Sequence, residues 1–345
     1  VSVSLRRLYR LVLAVAVICL LPLGPTAAQD GARDRAAAMR FARIGTGPTG
    51  GTYFPVGGLI ANAISNPPGS RPCDKGGSCG VPGLIAVAQS THGSVANVEA
   101  VAAGQIELAL TQADVAYWAY HGSGVFKGRP PMERLRAIGL LYQEAIHLVV
   151  RADAAIAGVG DLKGKRVSLG EQGSGTLVDA RAILKAFGVR EAALSPVFLK
   201  PGASADALTA GEIDAFFFVA GAPVTTISPL LDSGTGRLVA IDGPPARALA
   251  DSYPFLLQGE IAADAYAGVA AVPTITVGAV LVCSADLPND LVEGITHALW
   301  HANNQPLFRG IPGGAQMRLD MATTGLGIPL HPGAATYYAK AGLME

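Results

Sequence analysis

Short apolar runs alternate with amphipathic stretches along this chain, and the same series of elements occurs twice. An apolar run ending at Ile44 leads through Gly45-Thr46-Gly47-Pro48-Thr49-Gly50-Gly51-Thr52-Tyr53 into a helical pattern over 55–64. About 125 positions later, Val167-Ser168-Leu169-Gly170-Glu171-Gln172 leads through Gly173-Ser174-Gly175-Thr176 into a helical pattern over 177–187. Both copies continue alike. The first has an apolar run over 85–89, a helical stretch closing at Gly104, then Ile106, Glu107 and a second apolar run ending at Gln112. The second has a run over 197–200, a helix closing at Gly211, then Ile213, Asp214 and a run ending at Val219. A glycine that ends a helix just before a short apolar run marks a helix C-cap followed by a buried parallel strand. Each half therefore predicts β-loop-α-β-α-β, an α/β fold with two small, mostly parallel sheets.

Two further apolar strands, over 147–151 and 276–282, enter and leave the second copy. They predict a chain that crosses between two lobes twice, a two-strand hinge. Lobe 1 is expected over 38–147 and 277–345, and lobe 2 over 148–276. Helical patterns over 288–301 and around Tyr337 and Tyr338 are expected to pack back on lobe 1. A cleft between two α/β lobes is a preferred place for a small ligand, and a paired crossover permits closure around it.

The first 28 residues have a different character. Arg6, Arg7 and Arg10 precede an apolar stretch over 11–21, and Thr26-Ala27-Ala28 offers small residues for cleavage. This is the pattern of a secretory signal peptide, too short for a membrane span. It predicts export, with the periplasm as destination. Cys19 lacks the preceding small residue of a lipoprotein signal, so a soluble, unanchored protein is expected. Cys73 and Cys79 lie in a Pro- and Gly-rich insertion without periodicity, and an oxidising compartment favours a disulfide between them, stabilising by about 2 kcal/mol in a loop-entropy view. Two free thiols or half of a metal site are the alternatives. Cys283 sits in an apolar run and reads as a core thiol.

Charge adds little beyond exclusion. The 26 basic and 26 acidic residues cancel, which gives no reason to expect nucleic acid or an anionic membrane surface as partner. Gly45, Gly47 and Gly50 match the spacing of a dinucleotide fingerprint, but the acidic residue it needs on a second strand is missing, the nearest being Asp74 inside the insertion. No Walker lysine follows either loop. Ser174 between Gly173 and Gly175 has the spacing of a loop rather than of a nucleophile elbow. His297 and His301 stand four apart on a helix without a third ligand pattern, and His92 and His121 near the loops read as packing residues. No enzyme activity and no cofactor are expected.

Binding without chemistry is what the remaining residues suit. Thr46, Thr49, Thr52, Ser90, Thr91, Ser174 and Thr176 offer hydroxyls, and Gly50, Gly51, Gly173 and Gly175 permit close backbone approach. Gln112 ends an apolar strand facing the expected cleft, and Tyr53 offers a ring wall and a phenol. Strand, glycine loop and helix together aim free N–H groups at an anion.

These segments resemble the TAXI family of solute-binding proteins, which serve TRAP transporters. The resemblance rests on Gly45 to Tyr53, on Gln89-Ser90-Thr91 with Gly93-Ser94-Val95 and Asn97, and on Gln112-Ala113-Asp114-Val115-Ala116-Tyr117. It continues through Val149 to Asp153, Asp161 to Ser168, Gly173 to Thr176, Phe217 to Gly221 and Ile328 to Ala334. It covers nearly the whole chain after the leader, in order; the Cys73 to Cys79 insertion departs from the simplest family pattern. It implies a type II periplasmic binding protein fold and capture of a small organic acid, such as glutamate, 2-oxoglutarate or a related dicarboxylate. Delivery to the membrane components of a TRAP transporter would follow. A monomer is expected. The expected ligand-binding residues are Thr46, Gly47, Gly50, Gly51, Thr52 and Tyr53 in the first loop, then Ser90, Thr91 and Gln112. In the second half they are Ser174, Gly175, Thr176 and Val219. No arginine lies in either glycine loop, in keeping with the family, so carboxylates would rest on backbone N–H groups and hydroxyls. A periplasmic sensor subunit and an enzyme on a binding-protein fold are the other readings.

Overall fold

Both copies of the repeat take the predicted order in the computed structural model, which describes residues 39–344. The leader expected over 1–28 and Cys19 lie outside the described residues. The first copy is β1 (Arg40–Gly45), α1 (Tyr53–Ile64), β2 (Leu84–Gln89), α2 (Ser94–Ala102) and β3 (Leu108–Gln112). Helix α3 (Ala113–His121) and the long strand β4 (Leu135–Arg151) follow. The second copy is β5 (Arg166–Ser168), α4 (Gly175–Ala186), β6 (Ser195–Val197), α5 (Pro201–Thr209) and β7 (Ala215–Ala220). After it come β8 (Gly236–Val239), α6 (Gly243–Asp251), β9 (Leu256–Ile261), the long strand β10 (Val272–Ser284), α7 (Asn289–Trp300) and α8 (Pro332–Lys340).

These ten strands share one sheet, ordered β2-β1-β3-β10-β4-β7-β5-β6, with β8 on β4 and β9 on β10. In each wing the first strand of the repeat lies between the other two, and all three run parallel. The centre is antiparallel: β10 pairs with β3 and β4, and β4 with β7. The strands expected over 147–151 and 276–282 are thus parts of longer ones. Strand β4 pairs with β10 along Leu135–Ala145 and passes on to β7 from Ala145 to Val150. Two continuous strands therefore carry the chain from one wing to the other.

The aligned residues of the two copies do equivalent work. Gly104 and Gly211 have φ of 67° and 71°, the left-handed conformation that closes a helix and that side chains resist. Glu107 accepts from the Arg43 backbone N–H at 2.7 Å and from its guanidinium at 3.1 and 2.7 Å. Asp214 accepts from the Arg166 N–H at 2.9 Å and from its guanidinium at 3.1 and 2.7 Å. In both copies an acid after the helix fastens the start of the third strand to the first.

Apolar residues fill both faces of the sheet. On one face Ile44, Ile60, Ile64, Leu110, Val292, Ile295, Leu299 and Tyr338 form a single buried cluster, so α1, α7 and α8 share the first wing, as expected for the C-terminal helices. Trp300 Nε1 donates to Tyr338 Oη at 2.9 Å, and Tyr338 Oη donates to the Ile138 carbonyl at 2.9 Å. Cys73 and Cys79 form a disulfide, and Cys283 is a buried free thiol whose ionisation burial pushes up. Among the described residues no helix is long and apolar enough to cross a membrane.

Candidate functional site

Parallel strands place their C-terminal ends, and the helix N-termini that follow, on one edge of a sheet. Here the edges of the two wings face each other across a cavity. The first wing contributes Gly47, Pro48, Gly51, Thr52 and Tyr53 from the loop before α1. It also supplies His92, Gly93 and Ser94 before and at the start of α2, Gln112 ending β3, and Glu144 of β4. The second wing contributes Gly170, Glu171, Ser174, Gly175 and Thr176 around the start of α4. Leu199, Pro201 and Ser204 come from the start of α5, and Phe217, Phe218 and Val219 from β7.

The walls are bonded to each other. His92 Nδ1 donates to Glu171 Oε2 at 2.7 Å, and the Ala96 N–H in the first turn of α2 donates to the Gly173 carbonyl at 3.0 Å. Gln112 Nε2 donates to Asp179 Oδ2 at 2.9 Å, and Thr52 Oγ1 donates to the Gly221 carbonyl at 3.3 Å. Gly175 is required here: a side chain on it would overlap the Gln112 amide.

Helix α4 is capped by Ser174, whose Oγ accepts from the Leu177 N–H at 3.2 Å. The N–H groups of Gly175 and Thr176 precede any intrahelical partner, so the first turn presents donors and the positive end of the helix dipole to the cavity. Thr176 Oγ1 is occupied in accepting from the Val219 N–H at 3.2 Å.

The floor is acidic. Tyr53 Oη donates to Glu144 Oε2 at 2.7 Å, and burial pushes the Glu144 carboxyl up to about 8, so it is largely protonated at neutral pH. Burial raises Asp114 and Asp179 as well, and the Asp114 charge raises Asp179 further. Glu171 Oε1 and Gln112 Oε1 are buried without a hydrogen-bond partner among the described residues. Among the described residues no lysine or arginine lines the cavity. Behind Phe218, His147 is buried: Nδ1 donates to the Ala145 carbonyl at 3.0 Å, and Nε2 accepts from Tyr266 Oη at 3.0 Å. Burial lowers it to about 4, which keeps it neutral.

Of the residues singled out in the sequence, Gly47, Gly51, Thr52, Tyr53, Gln112, Ser174, Gly175, Thr176 and Val219 line the cavity. Thr46, Gly50, Ser90 and Thr91 do not. Thr46 Oγ1 donates to the Gln89 carbonyl at 2.7 Å, Ser90 Oγ to the Gly47 carbonyl at 3.0 Å, and Thr91 Oγ1 to Asn97 Oδ1 at 2.7 Å. These hydroxyls tie loops together. Gly50 backs on Thr226, whose Cγ2 would lie 2.9 Å from a Cβ there. His121 packs on Tyr117, with ring centroids 4.4 Å apart. The sequence reading missed Glu144, Glu171 and the Phe217–Phe218 wall and set His92 aside. A lone acid inside the apolar run Leu140 to Val150 was the available signal for Glu144.

Residues 44–342 match the NMT1-like family, and the protein belongs to it. Its fold is shared with solved structures at low identity. A structure described as a periplasmic transporter is 17% identical, superposes with a TM-score of 0.50, and is matched over 79% of this chain and 89% of that one. A protein from Bordetella bronchiseptica RB50 is 15% identical with a TM-score of 0.50, over 89% of this chain and 83% of that one. The alkanesulfonate-binding protein SsuA from Xanthomonas axonopodis pv. citri, bound to MOPS, is 16% identical with a TM-score of 0.47, over 88% and 94%.

Proposed function

We propose that this member of the NMT1-like family is a periplasmic solute-binding protein. It captures a small organic acid between the two wings of its sheet and delivers it to the membrane components of a transporter. The TAXI resemblance makes that a TRAP-type transporter, and the expectation of a monomer belongs to the same reading. The observation that carries it is the cavity itself, where the glycine loops of both repeats meet and the unpaired first turn of α4 opens inward. The His92–Glu171 contact ties the two walls together, and Tyr53 with Glu144 ties the loop to the floor, which suits binding rather than turnover.

Among the acids considered, an amino acid such as glutamate suits the walls better than 2-oxoglutarate. Its carboxylate would rest on the Gly175 and Thr176 N–H groups, and its ammonium would meet Glu171 Oε1, which has no partner among the described residues. A ligand without a hydrogen-bond donor there would leave that buried oxygen unsatisfied. Each hydrogen bond to a charged group contributes about 1.5–3 kcal/mol. A micromolar ligand needs about 8 kcal/mol, or about 0.8 kcal/mol per atom for about ten heavy atoms, under the ceiling of about 1.5. Native mass spectrometry of protein purified from the exporting cell tests the reading: a bound mass matching an organic acid supports it, and a bound sugar or metal chelate refutes it.

A further inference from the structure

The disulfide in the 67–83 insertion has a histidine beside it. His301 follows α7, 228 residues along the chain from Cys73, yet its Nε2 lies 3.9 Å from Cys73 Sγ. The ligand atoms of Cys73, Cys79 and His301 all lie within 4.8 Å of one another. Asn303 adds a side-chain amide 3.7 Å from both sulfurs. Cys79 is buried, while Cys73 and His301 are half-buried, so the group is shielded but reachable. The sequence alone offered two cysteines and no nearby third ligand; the fold supplies one.

We propose that Cys73, Cys79 and His301, once the disulfide is reduced, form a binding site for Zn²⁺ or a similar thiophilic divalent cation. Bonds of about 2.3 Å to sulfur and about 2.0 Å to nitrogen around a tetrahedral ion place neighbouring ligand atoms about 3.5–3.8 Å apart. The separation of Cys73 Sγ from His301 Nε2 is already 3.9 Å. The two sulfurs must part by side-chain rotation, and Cys79 Sγ, now within 4.8 Å of His301, must settle in the same range. The fourth position falls to water or to His297, whose ring centroid is 5.3 Å from that of His301. The Asn303 amide would donate to the thiolates, as groups behind metal ligands commonly do.

The steps balance with a named co-reactant. An external dithiol gives two electrons and two protons to the S–S bond, producing two thiols and its own disulfide. Binding the ion then releases the two thiol protons to solvent. His301 Nδ1 accepts from the Asn303 N–H at 3.2 Å, which puts the ring proton of the neutral imidazole on Nε2. Coordination through Nε2 selects the other tautomer, and the exposed Asn303 N–H turns to water. The consequence is structural. The disulfide closes a loop between cysteines six positions apart, whereas the metal would fasten the insertion to the end of α7.

The test uses the full secreted chain, oxidised or reduced with a phosphine and then freed of it, and titrated with Co²⁺ as a spectroscopic stand-in for Zn²⁺. The reduced protein should bind one Co²⁺, with thiolate-to-cobalt charge-transfer absorption and the visible bands of a four-coordinate ion. The oxidised protein should show neither. Excess Zn²⁺ should displace the cobalt. His301→Ala should weaken binding at least about tenfold, and Asn303→Ala by about tenfold. Cys283→Ala should bind as the parent does. No charge-transfer band in reduced parent protein overturns the proposal, and so does unchanged affinity in His301→Ala. If His301→Ala misfolds, a Zn²⁺-dependent rise in the melting temperature of the reduced parent supports the site, and its absence opposes it.

Discussion

Tyr53 Oη donates a 2.7 Å hydrogen bond to Glu144 Oε2, joining the first turn of α1 to the central strand β4 on the floor of the cavity. Both residues are buried, and the phenol is held well above its ordinary pKa by burial and by the nearby carboxyl. The pair fixes one wall of the proposed ligand site to the strand that connects the wings.

Ligand-free stability should therefore fall as pH rises. The Glu144 carboxyl is raised from 4.5 to about 8, so between those values the folded state holds a proton that the unfolded state has lost. The contribution is fully present below pH 4.5 and is lost as pH rises through 8, with a slope of at most about 1.4 kcal/mol per pH unit. Glu144→Gln should flatten that part of the profile, measured by urea unfolding at several pH values. An unchanged slope would show that Glu144 is not the group responsible.

Tyr53→Phe removes the donor and leaves the carboxyl without it, at a cost of about 1–3 kcal/mol. Chemical denaturation measures this directly. A loss well below that range would mean that water replaces the phenol.

Gly175→Val should abolish ligand binding while the two wings stay folded. The new side chain would overlap the Gln112 amide across the cavity and force the walls apart. Gly51→Val should be milder, because its Cβ meets only the tip of Phe218 at 3.2 Å and the Pro48 carbonyl at 3.4 Å. Calorimetry and circular dichroism on both variants separate loss of binding from loss of fold; equal affinity in Gly175→Val and the parent would contradict the placement of the site.

The repeat itself makes a paired prediction. Glu107→Ala and Asp214→Ala should lower the melting temperature by similar amounts, since each acid makes the same three contacts with its arginine. A large effect in one and none in the other would mean that the two wings do not depend on the same clasp.

The pattern of strands, helices and glycine caps was legible because it is local. Gly104 and Gly211 announce helix ends by the conformation they alone adopt easily, and Glu107 and Asp214 align because both follow those caps. The extent of β4 and β10 was less legible: the expected segments are parts of 17- and 13-residue strands, since pairing partners, not hydropathy, set where a buried strand stops. The site was legible only in part. A hydroxyl beside a glycine can face a ligand or tie its own loop, and Thr46, Ser90 and Thr91 do the latter. Glu144 showed only as a lone acid in an apolar run, and Glu171 carries no local signature because its partner, His92, lies in the other wing.

Titration calorimetry of the ligand-free protein against amino acids, dicarboxylates, monocarboxylates, neutral sugars and simple cations tests the proposed function most directly. An α-amino acid should bind most tightly, and at 100 times its Kd should stabilise the fold by about 2.7 kcal/mol. Glu171→Gln should weaken the amino acid more than the matching oxo acid. Dominant binding of a sugar or a simple cation, with no organic acid bound, would contradict the assignment.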